Sequence, residues 1–203
     1  MRSSSLKPFF TIVTATIQRD LLFRACECLD RQAFTDWEHI VAVDQVVDRA
    51  EIREQVLALE NLPKRKIFCT GVKHGNDFGH TARHLAYPEA IGNYLFYYDD
   101  DNRLLDNFAL QRIHDALVSK GCPPVAFVPI QYLGHYFFPP DPPRLNLVDM
   151  GNIVVKREIG RFPLGETYGM DGVFAEQLAR DFHCEYFADL DPVLALDEHL
   201  KGL

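Results

Sequence analysis

Three consecutive carboxylates, Asp99-Asp100-Asp101, end a run of apolar and aromatic residues, Leu95-Phe96-Tyr97-Tyr98. The run has the character of a buried strand. Acids clustered at its carboxyl end repel one another unless a cation or a hydrogen-bonded ligand offsets the charge. Oxygen ligands of this kind suit Mg or Mn, which are typically held by one or two carboxylates while substrate phosphates supply further oxygens. A plainer role also exists, because Asp is a good helix cap and Leu104 to Lys120 carries a helical pattern. One cap accounts for one aspartate, however, and leaves two. Arg83 is a second group with chemistry to offer. It falls in the first turn of a predicted helix near these acids, where a guanidinium can pair with a phosphate. His74, His80 and His84 lie around it. Metal-binding histidines need fixed spacing and supporting hydrogen bonds, so solvation is the preferred reading for these three.

The elements that must position these groups alternate. Phe9 to Thr14 reads as a strand, Asp20 to Arg31 as a helix, Trp37 to Val43 as a second strand ending at Asp44, and Asp48 to Leu59 as a helix. Lys66 to Cys69 is a short third strand, and the glycine-containing stretch Thr70 to His80 is a loop. Thr81 to Ala90 is a helix leading to the central strand, Pro124 to Gln131 and Asn152 to Val155 are strands, and Asp171 to Phe182 is a helix. Glu185 to Leu196 is extended and split by Asp191-Pro192. Such alternation calls for an α/β fold with a mostly parallel central sheet and helices on both faces, whose ligands sit at the carboxyl ends of the strands. The connection Ala15 to Arg19 lies at such an end and lacks the glycines of a dinucleotide fingerprint or a P-loop. Tyr132 to Leu145 holds five prolines or glycines and four aromatics. It reads as a long loop, either a binding lid or an aromatic flap packed on the core. Asp171 at the head of its helix reads by default as an N-cap.

A length of 203 residues with 47% apolar content suits one folded domain spanning 1–203 with a substantial core. The formal charge of −8 argues against nucleic acid as a partner. Five scattered cysteines, odd in number and without Cys-x-x-Cys spacing, fit reduced thiols. No stretch approaches the roughly 20 apolar residues of a membrane span. A cytoplasmic location is therefore expected, and homo-oligomer formation is left open.

These pieces resemble the family 2 glycosyltransferases, enzymes of the GT-A fold that use nucleotide-activated sugars. The opening from Phe10 to Asp44, with Q-A-F-T-D-W-E between its two strands, is similar to the family's start. Ala82-Arg83-His84 resembles its Ala-Arg-Asn, and Tyr98-Asp99-Asp100-Asp101-Asn102 stands where its DXD motif is found. Gly151-Asn152 with Lys156-Arg157-Glu158 resembles its acceptor-side strand, and Gly169-Met170-Asp171 its Glu-Asp motif. The resemblance runs from about residue 8 to 200 and implies an inverting transferase that uses a divalent cation, Mn or Mg. It implies a nucleotide-sugar donor, a uracil nucleotide by preference, and a glycan or other hydroxyl acceptor.

The same resemblance assigns roles. Thr14, Ala15 and Thr16 would line the nucleotide pocket and Asp44 would bind the base. Arg83 would approach the diphosphate, with Asp99 and Asp100 on the nucleotide side. Asp101 and His199 would hold the metal, and Asp171 would be the general base. Tyr132, His135 and Asn152 would face the acceptor. Met170 departs from the family's usual Glu and His84 from its Asn, while the Gln-x-x-Arg-Trp motif of processive synthases is missing. A non-catalytic nucleotide-sugar or glycan-binding module of the same fold is one alternative. A sugar nucleotidyltransferase is the other, disfavoured because Ala15 to Arg19 supplies no glycine-rich basic loop for a triphosphate.

Overall fold

The computed structural model describes residues 7–73, 77–165 and 168–196. Its centre is a sheet of seven strands, the inner ones largely apolar runs buried on both faces and the two edge strands only partly buried. These are β1 (Phe10–Thr16), β2 (Trp37–Val43), β3 (Arg65–Cys69), β4 (Tyr94–Tyr97), β6 (Val125–Phe127), β9 (Ile153–Lys156) and β10 (Cys184–Tyr186). Their spatial order is β10-β6-β9-β4-β1-β2-β3. Every pairing is parallel except the two made by β9, which runs against β4 and β6. A smaller sheet, β5-β11-β7-β8, is built from β5 (Asn102–Leu104), β7 (Ile130–Tyr132), β8 (His135–Phe137) and β11 (Leu194–Leu196).

Side-chain alternation along β4 shows how the two faces are filled. Tyr94 and Phe96 point with Phe10 and Ile12 into one cluster, while Leu95 and Tyr97 point with Val13 and Ala15 into the other. The first face is covered by α1 (Leu21–Asp30) and α4 (Ala109–Ser119) through Ala25, Leu29, Leu110, Ile113 and Leu117. The second is covered by α3 (His80–Ala86) and α5 (Met170–Asp181) through Ala82, Ala86, Phe174 and Leu178.

Several expectations change at the element level: the pattern over 104–120 is helical only from Ala109, and the helix expected over 81–90 gives way to a 3-10 turn at Tyr87. The helix expected over 48–59 is a four-residue α2 (Glu54–Leu57) between two 3-10 turns, Arg49–Glu51 and Ala58–Asn61. Arg53 is drawn out of helical geometry, its N–H donating to Gln18 Oε1 at 2.5 Å and its Nη1 to Asp20 Oδ1 at 2.8 Å. The strand expected over 124–131 leaves one sheet as β6 and enters the other as β7, with Val128 and Pro129 between them. The loop expected over 132–145 opens with a hairpin. β7 and β8 pair across Leu133 and Gly134, both at positive φ (51° and 79°), the geometry of a tight two-residue turn.

Candidate active site

β1 is flanked by β2 on one side and β4 on the other, so the chain leaves the sheet in opposite directions beside its carboxyl end. A crevice opens at such a switch point. Here it is a cavity of about 590 Å³ that gathers Thr16, Arg19 and Asp44 from the ends of β1 and β2, Arg83 from α3, and Asp99, Asp100 and Asp101 from the end of β4. Asp149 from the turn before β9 and Asp171 from the first turn of α5 complete its acidic wall. Phe78, Tyr132 and Tyr168, each more than half exposed, stand at its rim.

The three β4 aspartates are placed very differently. Asp100 is buried and fully engaged, accepting from Thr16 Oγ1 at 2.5 Å and from Arg19 Nε at 3.2 Å, with Arg19 Nη2 on its other oxygen. Asp101 also faces Arg19, its Oδ2 at 3.2 Å from Nη2. Burial, then Asp99, raise its carboxyl to about 6 against the pull of Arg19. Asp99 pairs with Arg83 Nη2. Burial disfavours the charge on Arg83, but Asp99 and Asp171 outweigh it and its pKa is raised. Its Nη1 donates to the Phe78 carbonyl at 2.9 Å, and its buried Nε makes no hydrogen bond. Gly79 holds this corner tight. It lies at φ 78°, and a Cβ there would stand 2.8 Å from the Ala15 methyl.

At the head of α5, Gly169 at φ 93° is the N-cap, so Asp171 is not the cap that its position suggested. It is the second residue of the helix, with burial as the main cause of a carboxyl raised to about 6. Asp149 caps the 3-10 turn Met150–Asn152, accepting from the Gly151 N–H at 2.8 Å. Burial, Asp99 and Asp171 push it to about 7.

Of the residues expected from sequence, Thr16, Asp44, Arg83, Asp99, Asp100, Asp101, Asp171 and Tyr132 meet in this cavity. Others are turned elsewhere. Thr14 Oγ1 lies 2.9 Å from His39 Nε2 inside the sheet, and Ala15 packs under Gly79. His135 is exposed on β8 and does not line the cavity. Asn152 is fully buried, its Nδ2 donating to the Val128 carbonyl at 2.8 Å and its Oδ1 accepting from Asp149 N–H at 3.0 Å. It therefore holds the wall of the site. His199 lies outside the described residues, as does His74. Arg19 and Asp149 were not anticipated. Arg19 belongs to the connection already placed at a strand end, whereas nothing local marks Asp149.

Six aspartates against two arginines make the cavity strongly acidic. A diphosphate entering it needs added positive charge, and a divalent cation bound through one carboxylate and phosphate oxygens fits that demand. A closed metal cage does not, because no group of three His, Cys, Asp or Glu poised around one point occurs among the described residues.

No protein-family profile matches the chain, and neither does any curated protein sequence. Solved structures do. Residues 1–349 of TarS from S. aureus align with a TM-score of 0.72 at 14% identity, covering 93% of this chain and 60% of that one. The same protein in complex with UDP-GlcNAc gives 0.71 at 15% identity, covering 96% and 61%. The mannosyltransferase PcManGT from Pyrobaculum calidifontis, in complex with GDP-Man and Mn2+, gives 0.67 at 14% identity, covering 98% and 59%. The chain thus has the α/β, GT-A-like fold of these glycosyltransferases and spans about three-fifths of their length. No helix among the described residues is long and apolar enough to cross a membrane.

Proposed function

We propose that this chain is a metal-dependent glycosyltransferase that moves a sugar from a nucleoside-diphosphate donor to a hydroxyl acceptor with inversion at the anomeric carbon. One observation carries the reading: Asp99 to Asp101 and Asp171, about seventy residues apart in sequence, line one cavity at the switch point of the sheet. The likeness to structures holding UDP-GlcNAc and GDP-Man supports the donor class.

The nucleotide lies across the ends of β1 and β2, its base beside Asp44, whose carboxylate would favour a ring N–H donor such as uracil. Arg83, with an unused Nε, binds the diphosphate and stabilises the charge that grows on it as the sugar leaves. A divalent cation held by Asp101, when bound, would offset further charge on the leaving group. Asp171 takes the proton of the attacking hydroxyl. A new bond forms from that oxygen to the anomeric carbon, while the bond to the phosphate oxygen breaks with its electron pair. A carboxyl raised to about 6 is mostly ionised at neutral pH yet more basic than an ordinary aspartate, which suits a general base.

Calorimetry with UDP, UDP-GlcNAc and GDP-mannose, with and without Mn, tests the donor class. A folded sample that binds none of them under either condition rules the reading out. The Asp171→Asn variant should keep donor binding and lose turnover by about a hundredfold to ten-thousandfold, the usual contribution of a positioned base. Undiminished turnover would remove Asp171 from the mechanism.

A further inference from the structure

The Arg19 guanidinium lies across two carboxylates at once. Its Nε donates to Asp100 Oδ2 at 3.2 Å, and its Nη2 is shared between Asp100 Oδ1 and Asp101 Oδ2, the latter at 3.2 Å. The acids are nearly closed to solvent, 1% and 10% exposed, whereas the arginine that covers them is 34% exposed and has open space on its outer side. A strut for Asp100 alone would need no bond to Asp101. The backbone aims this side chain. Gln18 stands at φ 68°, a conformation uncommon for a residue with a Cβ. It is held there by its own N–H on Thr16 Oγ1 at 2.9 Å and by Arg53, whose N–H donates to Gln18 Oε1 at 2.5 Å and whose Nη1 donates to the Gln18 carbonyl at 2.7 Å. The bend turns Arg19 into the cavity and leaves motion to its side chain. A Mg ion binds a carboxylate oxygen at about 2.1 Å, so an ion on Asp101 Oδ2 would stand no farther than about 5 Å from Nη2 as it lies. Two cations that close repel strongly away from bulk water.

We propose that Arg19 is the resident cation of the Asp101 position: it competes with a divalent ion in the ligand-free protein and yields Asp101 when the phosphates of a nucleoside diphosphate offer the guanidinium another acceptor. The exchange with phosphate rests on the transferase reading of the cavity; the competition at Asp101 does not. Phosphate suits the exchange, because a guanidinium pairs with its oxygens as it does with those of a carboxylate. Metal and nucleotide then favour one another's binding, and by linkage each raises the other's affinity by the same factor. The acids keep a counter-charge throughout, Arg19 before the ligand arrives and the metal after.

The test reads Mn binding by electron paramagnetic resonance on the nucleotide-free protein, for the wild type, Arg19→Gln, Arg19→Lys, and Arg19→Gln combined with Asp101→Asn. Arg19→Gln should bind Mn about tenfold more tightly than the wild type, the effect of releasing one charge-assisted hydrogen bond from Asp101. Arg19→Lys keeps a charge beside Asp100 on a single nitrogen, covers a failure of the first variant to fold, and should show a smaller gain. The double variant should lose the gain. Added UDP should narrow the gap between wild type and Arg19→Gln, because the nucleotide draws Arg19 away in the wild type. A merely structural Arg19 would instead lower the urea midpoint of its variants with no gain in Mn affinity. Equal nucleotide-free affinities in the wild type and the folded Arg19 variants, or a gain that survives Asp101→Asn, overturns the competition. A gap unchanged with UDP bound overturns the exchange with phosphate. Should UDP not bind, the transferase reading fails, while the nucleotide-free affinities still decide whether Arg19 holds Asp101 against a cation.

Discussion

At the scale of single residues, the molecule keeps charge inside by pairing it, and the pairs differ in what they leave available. Asp100 is saturated by Thr16 and Arg19 and acts as a fixed strut. Asp101, Asp149 and Asp171 are held in surroundings that disfavour ionisation, which leaves them poised near neutrality. His39 shows the opposite case. It is fully buried, its Nδ1 accepts from Arg65 Nε at 3.1 Å, and burial followed by the Arg65 charge pushes its pKa down to about 3. The folded state then binds fewer protons than the unfolded state, whose imidazole titrates at about 6.5. Stability from this group is complete above that value and is lost as pH falls toward 3, with a slope approaching 1.4 kcal/mol per pH unit at about one proton of difference. Urea denaturation at a series of pH values should show this acid lability. His39→Gln, which takes up no proton, should be less stable at neutral pH yet show a shallower slope below about pH 6.

At the scale of elements, the site depends on Asp100, beyond β4, coming level with Thr16 at the end of β1, and the register of the two strands is set at their other end. Gly92 N–H donates to Thr11 Oγ1 at 2.8 Å, and Thr11 Oγ1 donates to Glu38 Oε1 at 2.6 Å. The same carboxylate oxygen accepts from Ile91 N–H at 2.7 Å, so one buried acid ties the entry of β4 to β1 and β2. No side chain fits at Gly92, where a Cβ would lie 2.6 Å from the Thr11 nitrogen and 2.7 Å from the Phe10 carbonyl carbon. Both neighbours are backbone and cannot swing aside. Gly92→Ala should therefore destabilise by about 1–3 kcal/mol, the usual cost of overpacking, read as a lower urea midpoint. A change below about 0.5 kcal/mol would show that the two strands are not locked there. Elements away from the sheet have looser origins. The 48–59 segment buries Ile52, Val56 and Leu59 at helical spacing, yet side chains from the β1–α1 connection decide where it breaks.

At the scale of the whole molecule, the acidic cavity couples folding to ligand binding. Its carboxylates repel one another in the native state alone, so a ligand that brings positive charge should stabilise that state. A nucleotide present at about 100 times its Kd adds about 2.7 kcal/mol to native-state stability by mass action. The thermal midpoint should rise more with UDP and Mn together than with either alone. Asp101→Asn should remove the Mn-dependent part and keep the Arg83-dependent part. An equal Mn response in that variant would move the cation away from Asp101. On the proposed reading, the exposed aromatic rim of Phe78, Tyr132 and Tyr168 is where an acceptor would approach.

Taken alone, the amino-acid order already marked β1 to β4 of the large sheet. A run such as Leu95 to Tyr98 has no polar face and is stable only when buried on both sides, and the acids after it must then lie at a strand end. It likewise determined that Arg83, Asp44 and Asp99 to Asp101 would gather at one rim, because parallel strands deliver their carboxyl ends to the same edge. The tertiary structure alone decided which acids are used up and which are paired. Arg19 spans the β1–β4 gap to saturate Asp100, and α5 brings Asp171 into the cavity that Asp149 also lines. It also turned Asn152 and Thr14 inward, where buried polar groups need partners that only packing supplies. These are contacts between segments far apart in the chain. Their energies depend on burial and distance, neither of which has a local signature.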